Sequence, residues 1–222
     1  MYAYRQQRST PPVVKNIIIA NCVALLATEL LPFGNDLLER FALFNVESPF
    51  FHSYQVFTYM FLHGGVSHLF FNMFALWMFG RELEVQMGSQ RFFTYYLVCG
   101  IGAALLQLGV GYAEYAHALD AGGMNAAMRY LYTPTVGASG AVFGLLLAFG
   151  VLHPNSTVML IFPPIAMKAK WFVMIYGVIE LLLIVFQAQD GIAHFAHLGG
   201  MFWGWLLMLW WQRRDRNRIY FN

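Results

Sequence analysis

Six long apolar stretches joined by short polar connections constrain this chain more than any other feature. They run over 13–33, 65–81, 92–112, 137–153, 171–187 and 192–211. An α-helix needs about 20 mainly apolar residues to cross the hydrocarbon core of a bilayer. Each stretch meets or approaches that length. Water is excluded as the solvent, because 59% of the residues are hydrophobic and only 11% are charged, against about 25% charged in an average soluble domain. Disorder is excluded by the same abundance of apolar residues. The expected fold is an all-α polytopic membrane protein, a compact bundle of six transmembrane helices forming one domain over 1–222. The first connection, 34–62, mixes Phe41, Phe44, Phe50, Phe51 and Tyr54 with Asp36, Glu39 and Glu47. Such an amphipathic loop is expected to lie in the interface. The apolar run 158–167, broken by Pro163-Pro164, reads as a surface re-entry before the fifth span.

Orientation follows from the sorting of Lys and Arg. Arg5, Arg8 and Lys15, then Arg81 and Arg91, then Lys168 and Lys170, then Arg213, Arg214, Arg216 and Arg218 fall on one side. Arg40 and Arg129 fall on the other. Eleven against two places both termini in the cytoplasm. The C-terminal arginines mix with Asp215 and follow a span, so they are an orientation signal and no nucleic-acid partner is expected. No cleavage-site pattern follows a short apolar core at the N-terminus, so the first span is expected to stay as an anchor. Cys22 and Cys99 lie in spans and form no metal-ligand pattern.

Polar groups inside a bilayer are costly, and each one invites a functional reading. The second span carries His68 and Asn72, the fourth Ser139, the sixth His194 and His197. Spans two, four and six all start on the outer side. At 1.5 Å rise per residue, His68, Asn72, Ser139 and His197 come to similar depths. A serine hydroxyl next to an imidazole is the pairing of nucleophile and base that serine hydrolases use. Asn72, His68 and the Ser139 N–H, which lies in a first helical turn, supply donors for an oxyanion. Asp190 is seven positions from His197, and no other acid is expected beside it, so a Ser–His dyad is expected rather than a triad. His194 is a rival base, nearer water and better suited to the interface. His63 reads as a hydrogen-bonded structural residue, and His52, His117 and His153 as interface residues. Gly140–Gly144 and Gly200–Gly204 are G-x-x-x-G pairs, which let helices four and six approach closely. The short fourth span leaves a wet depression above Ser139.

Two other carboxylates lie in spans. Glu29 is near the outer end of the first. Glu180, in the fifth, is read as a hydrogen-bonded packing residue, with a proton or ion path as the alternative. A metalloprotease reading lacks H-E-x-x-H, and the five-residue spacing of His63 and His68 does not suit two ligands on one helix face. No metal and no cofactor is implied.

At this point the sequence resembles the rhomboid family of intramembrane serine proteases. His63-Gly64-Gly65-Val66-Ser67-His68-Leu69-Phe70-Phe71-Asn72 resembles its H-x-x-x-x-H-x-x-x-N segment. Gly137-Ala138-Ser139-Gly140 resembles its G-x-S-G motif, and Ala196-His197-Leu198-Gly199-Gly200 its A-H-x-x-G motif. The resemblance covers nearly the whole chain, in the six-span form. It implies cleavage of transmembrane protein substrates near their outer ends, with Ser139 as nucleophile and His197 as base. It implies an oxyanion hole of His68, Asn72 and the Ser139 N–H, with His63, Gly137, Gly140, Phe143 and Gly200 structural around the site. The fifth span and fifth loop would act as a lateral gate and cap. Two departures stand out. Where some relatives have Trp-Arg in the first loop, this chain has Tyr54-Gln55, and where some have Tyr one turn after the serine, it has Phe143. A noncatalytic protein that binds client helices on the same scaffold, and a small transporter centred on Glu180, stay open as other classes. The expected location is a bacterial cytoplasmic membrane, with the oligomeric state left open.

Overall fold

The structure, a computed structural model, describes residues 9–160, 164–186 and 193–216. Arg5, Arg8, Pro163, Asp190, Arg218 and the expected span ends Gln187 and Ile192 lie outside the described residues. The chain forms α1 (Pro12–Leu30), α2 (Gly34–Phe41), α3 (Gln55–Thr58), α4 (Val66–Ala75), α5 (Arg81–Met87), α6 (Ser89–Tyr132), α7 (Ser139–Leu152), α8 (Ala169–Val185) and α9 (His194–Arg216). A π-helical turn over Leu76–Gly80 makes α4 and α5 one continuous rod. Six rods therefore correspond to the six apolar stretches.

Local chemistry explains where the rods start and stop. Helix α1 opens with Pro12 in its first turn, where a missing N–H costs nothing. Its next two N–H groups, of Val13 and Val14, donate to the Glu84 carboxylate at 3.0 and 2.8 Å. The Ser89 hydroxyl donates to the same carboxylate at 2.7 Å, so one buried acid ties α1 to the α5–α6 corner. That corner is Gly88, at φ 79°. Helix α6 continues well past Tyr112, where the apolar stretch ends, because 113–127 is rich in Ala and other good helix formers. Its one internal break is Gly123, at φ 70° and ψ −170°.

The fourth connection differs from the expected re-entry. It is a two-stranded antiparallel hairpin, β1 (Thr157–Met159) against β2 (Ala166–Lys168), with Val158 opposite Met167. β-Branched Thr157 and Val158 favour the strand, and Val158 is buried in a cluster with Ala169 and Phe172. In the first connection Gln55 is fully buried. Its amide donates to the carbonyls of Arg40 (3.1 Å) and Phe50 (2.8 Å) and accepts from the Phe44 N–H (3.3 Å). This side chain knits the loop together at the position where the sequence departs from the Trp-Arg of some relatives.

Helix α7 is the centre of the bundle, with Gly140, Ala141, Val142, Gly144, Leu145, Leu146, Ala148 and Gly150 buried. It is 14 residues long, or about 21 Å at 1.5 Å per residue, well short of the ~30 Å hydrocarbon core. Helices α6 and α9 flank it. Tyr95 Oη donates to the Gly144 carbonyl at 2.9 Å, and Tyr59 Oη to the Gly100 carbonyl at 2.7 Å. Helix α8 is peripheral: Met174, Ile175, Val178, Ile179, Leu181, Leu182 and Val185 are all exposed. Apolar residues exposed in that density face lipid rather than water.

Candidate active site

Ser139 is the first residue of α7, set there by Gly137 and Ala138. Gly137 sits at φ 130°, which side-chain-bearing residues rarely adopt, and its N–H donates to the Tyr59 carbonyl at 3.0 Å. A Cβ at Gly137 would lie 3.0 Å from His68 Nε2 and 3.7 Å from Ser139 Oγ. The glycine thus keeps open a small space flanked by an imidazole and a hydroxyl. The first α7 bond of this turn runs from the Val142 N–H to the Ala138 carbonyl. The N–H groups before it, that of Ser139 included, have no partner within the helix.

His197 comes from α9, which packs against α7 through glycine. A Cβ on Gly200 would run into the Gly140 carbonyl, and one on Gly144 would meet the Cys99 side chain and, at 3.0 Å, the Gly200 carbonyl. That backbone approach brings His197 Nε2 to 2.8 Å from Ser139 Oγ. Phe143, one turn along α7, stacks on the His197 ring with centroids 4.1 Å apart and planes 6° from parallel. The stack needs only an aromatic face, which Phe143 supplies without a phenol hydroxyl.

One arrangement departs from the sequence reading. An acid does stand beside His197: Glu180 Oε1 is 3.0 Å from its Nδ1. The contact is short but off the N–H direction, so Nδ1 has no aligned hydrogen bond among the described residues. The other oxygen of Glu180 lies 2.6 Å from His194 Nδ1. His194 is therefore buried, at 6% exposure, and not an interfacial residue. Depth arithmetic holds the missed signal. Glu180 is about one and a half turns before the outer end of α8, and His197 about one turn after the start of α9, so an antiparallel pair brings them level. One imidazole nitrogen from each histidine and a carboxylate oxygen all lie within 4.8 Å of one another. This donor set suits a divalent cation in kind, and it equally suits a carboxylate shared by two N–H donors.

His68 and Ser139 line a cavity of about 690 Å³ that also takes in Tyr59, Gln107, Glu114 and Arg129. Asn72 is buried beside it but does not line it. Its amide donates to the His68 carbonyl one turn back, at 3.0 Å. Gly64 N–H donates to His68 Nδ1 at 3.3 Å, leaving Nε2 toward the Ser139 side. His63, only 1% exposed, sets its ring edge-on to His68 at 5.0 Å. Burial and the neighbouring His68 push the His63 pKa down to about 4, partly offset by the Phe61 backbone. At the cavity's outer wall burial raises the Glu114 carboxyl above its usual range, and Arg129 opposes that shift. The 113–132 part of α6 supplies these two residues; the sequence reading counted Arg129 only as an outer-side charge and did not single out Glu114.

Comparison with known proteins adds a family. The rhomboid domain family matches residues 51–214. The chain is 29% identical over 163 residues to the mitochondrial rhomboid protein 1 of Saccharomyces cerevisiae, covering 72% of this chain and 43% of that protein. It is 30% identical over 159 residues to rhomboid protease AarA of Providencia stuartii, covering 68% of this chain and 53% of that protein. A shorter match, 33% over 93 residues, is to rhomboid protease GluP of Bacillus subtilis, covering 42% of this chain and 14% of that protein. The chain thus spans about half the length, or less, of these curated relatives.

Proposed function

We propose, from the premise that this chain belongs to the rhomboid family, that it is an intramembrane serine endopeptidase acting on transmembrane protein substrates. The single observation that carries this reading is the 2.8 Å approach of His197 Nε2 to Ser139 Oγ at a cavity whose lining includes the polar side chains of His68, Gln107, Glu114 and Arg129. A substrate helix unwinds near its outer end and presents a peptide carbonyl to Ser139. Oγ bonds to the carbonyl carbon as Nε2 takes the hydroxyl proton. The oxyanion is held by the Ser139 N–H and His68, with the second amide hydrogen of Asn72 as a third donor. The C–N bond then breaks, and the leaving amine takes the proton from His197. Water admitted by the cavity attacks the acyl-enzyme, losing its proton to His197, and Oγ recovers a proton as the acid product leaves.

The residues of this cycle are all protein groups, and the role of each is testable. Ser139→Ala and His197→Ala in folded, full-length protein are expected to lose both cleavage of a reporter transmembrane substrate and fluorophosphonate labelling. Native-rate cleavage by Ser139→Ala overturns the reading. Both termini are proposed to face the cytoplasm, on the eleven-to-two sorting of Lys and Arg, and the host to be a bacterial cytoplasmic membrane.

A further inference from the structure

Helix α8 presents lipid with apolar residues on most of its circumference, yet it buries a carboxylate. Glu180 is 6% exposed, while its neighbours Ile179, Leu181 and Leu182 are exposed. Packing alone does not call for an acid here. A buried ionised carboxylate is strongly unfavourable unless its oxygens are paired, and an apolar side chain of the same size would fill the place without that cost. Both oxygens of Glu180 are committed, one to His194 Nδ1 at 2.6 Å and one toward His197 Nδ1 at 3.0 Å.

Resting on the serine endopeptidase reading above, we infer that Glu180 is a positioning residue for His197: its carboxylate keeps the proton on Nδ1, so that Nε2 faces Ser139 as an acceptor, and His194 anchors the carboxylate.

The geometry gives each step of this. A neutral imidazole carries one proton, on one nitrogen or the other. A carboxylate oxygen 3.0 Å from Nδ1 attracts an N–H and repels a lone pair. With the proton on Nδ1, Nε2 has its lone pair toward the Ser139 hydroxyl at 2.8 Å, which is the arrangement a general base requires. A flip of the ring would put Cδ2 and Cε1 where Nδ1 and Nε2 now stand and lose both polar contacts; the Phe143 stack at 4.1 Å holds the ring plane while the two polar contacts fix its sense. When Nε2 takes the serine proton, the imidazolium faces an anion already in place. The oblique contact in the resting site tightens onto that charge, as catalytic hydrogen bonds do on going from the free to the reacting state. His194, bonded to the second oxygen, stops Glu180 from turning out toward lipid. Glu180 touches no substrate in this scheme and acts through His197.

The test uses the full chain in proteoliposomes with Glu180→Gln, Glu180→Leu and Glu180→Asp, a reporter transmembrane substrate and a fluorophosphonate. Glu180→Gln and Glu180→Leu are expected to lower kcat by about 100-fold, between the ~10-fold typical of a lost supporting contact and the ~10⁴-fold of a lost, well-aligned triad carboxylate. KM stays within about twofold, labelling slows in parallel, and Glu180→Asp recovers about tenfold. In ¹⁵N-histidine spectra, wild-type His197 is expected to show the Nδ1–H tautomer and Glu180→Gln a mixture. Folded Glu180→Gln and Glu180→Leu proteins with native kcat overturn the inference. So does an Nε2–H tautomer in the wild type, a measurement that needs no variant. Stoichiometric bound zinc, with activity lost on chelation, overturns it too, by making the three groups a metal site. In each case an inactive Ser139→Ala leaves the endopeptidase reading standing, so the two ideas fail separately.

Discussion

Replacing Gly200 by Ala adds one methyl group where α9 meets α7, and the structure states what that methyl group strikes. It runs into the carbonyl carbon and oxygen of Gly140. Both are backbone, so no side chain can rotate away and the helices must part. Restoring ordinary contact needs a separation of about 1 Å or more at that crossing. Ser139 is adjacent to Gly140, and His197 is one turn before Gly200, so the shift falls on their 2.8 Å contact. Opened by about 1 Å, that contact is no longer a hydrogen bond. A misplacement of about 1 Å between reacting groups costs up to ~10²-fold in rate, and overpacking costs about 1–3 kcal/mol in stability. Fluorophosphonate labelling of Gly200→Ala is therefore expected to slow about 100-fold. Its Tm in detergent should fall by about 2–4 °C for each kcal/mol lost. Gly109→Ala is the control: on α6 a Cβ there meets nothing within 4 Å, and both measurements should stay at wild-type values. Wild-type labelling and Tm in Gly200→Ala would refute the claim that glycine contact sets the Ser139–His197 distance.

Two further perturbations probe other parts of the argument. His63 has a folded pKa of about 4 against 6.5 in its ordinary state, so the unfolded chain binds the extra proton between those values. Its contribution is fully present above about pH 6.5 and is lost as pH falls toward 4, by up to roughly 3 kcal/mol. The difference in thermal unfolding between wild type and His63→Leu across pH 4–7 should show that slope, and a pH-independent difference argues against a buried neutral imidazole. Glu84→Ala strips the acceptor from two α1 N–H groups and Ser89 at a side chain only 2% exposed. It should cost about 2–3 kcal/mol, read as a lower Tm, with Glu84→Gln recovering part; unchanged labelling at low temperature is expected, because this corner lies at the opposite end of the bundle from Ser139.

Much of the site was legible along the chain because depth in a membrane helix is a one-dimensional quantity. Counting residues from the outer ends placed His68, Ser139 and His197 in one layer, and the structure brings Ser139 and His197 into contact. The same counting puts Glu180 level with His197, but whether its carboxylate faces the imidazole depends on how α8 is rotated about its own axis. Nor did apolarity reveal that α6 runs on to Tyr132 through the Gly123 break, since that extension is driven by helix propensity rather than by hydropathy. The hairpin at Thr157–Lys168 was hidden for a related reason: a short apolar run reads alike as strand or helix until a partner strand fixes it.

The sequence by itself determined the solvent, the six rods, their sorting by positive charge and the family. These follow from composition and local pattern, which each segment carries alone. Only the tertiary structure decided which faces meet. The contact of Gly140 with Gly200, the Phe143 stack and the sharing of Glu180 between His194 and His197 all depend on helix rotation and separation. Those are set by close packing of small residues distant in the chain, a property of the assembled bundle that no single span contains.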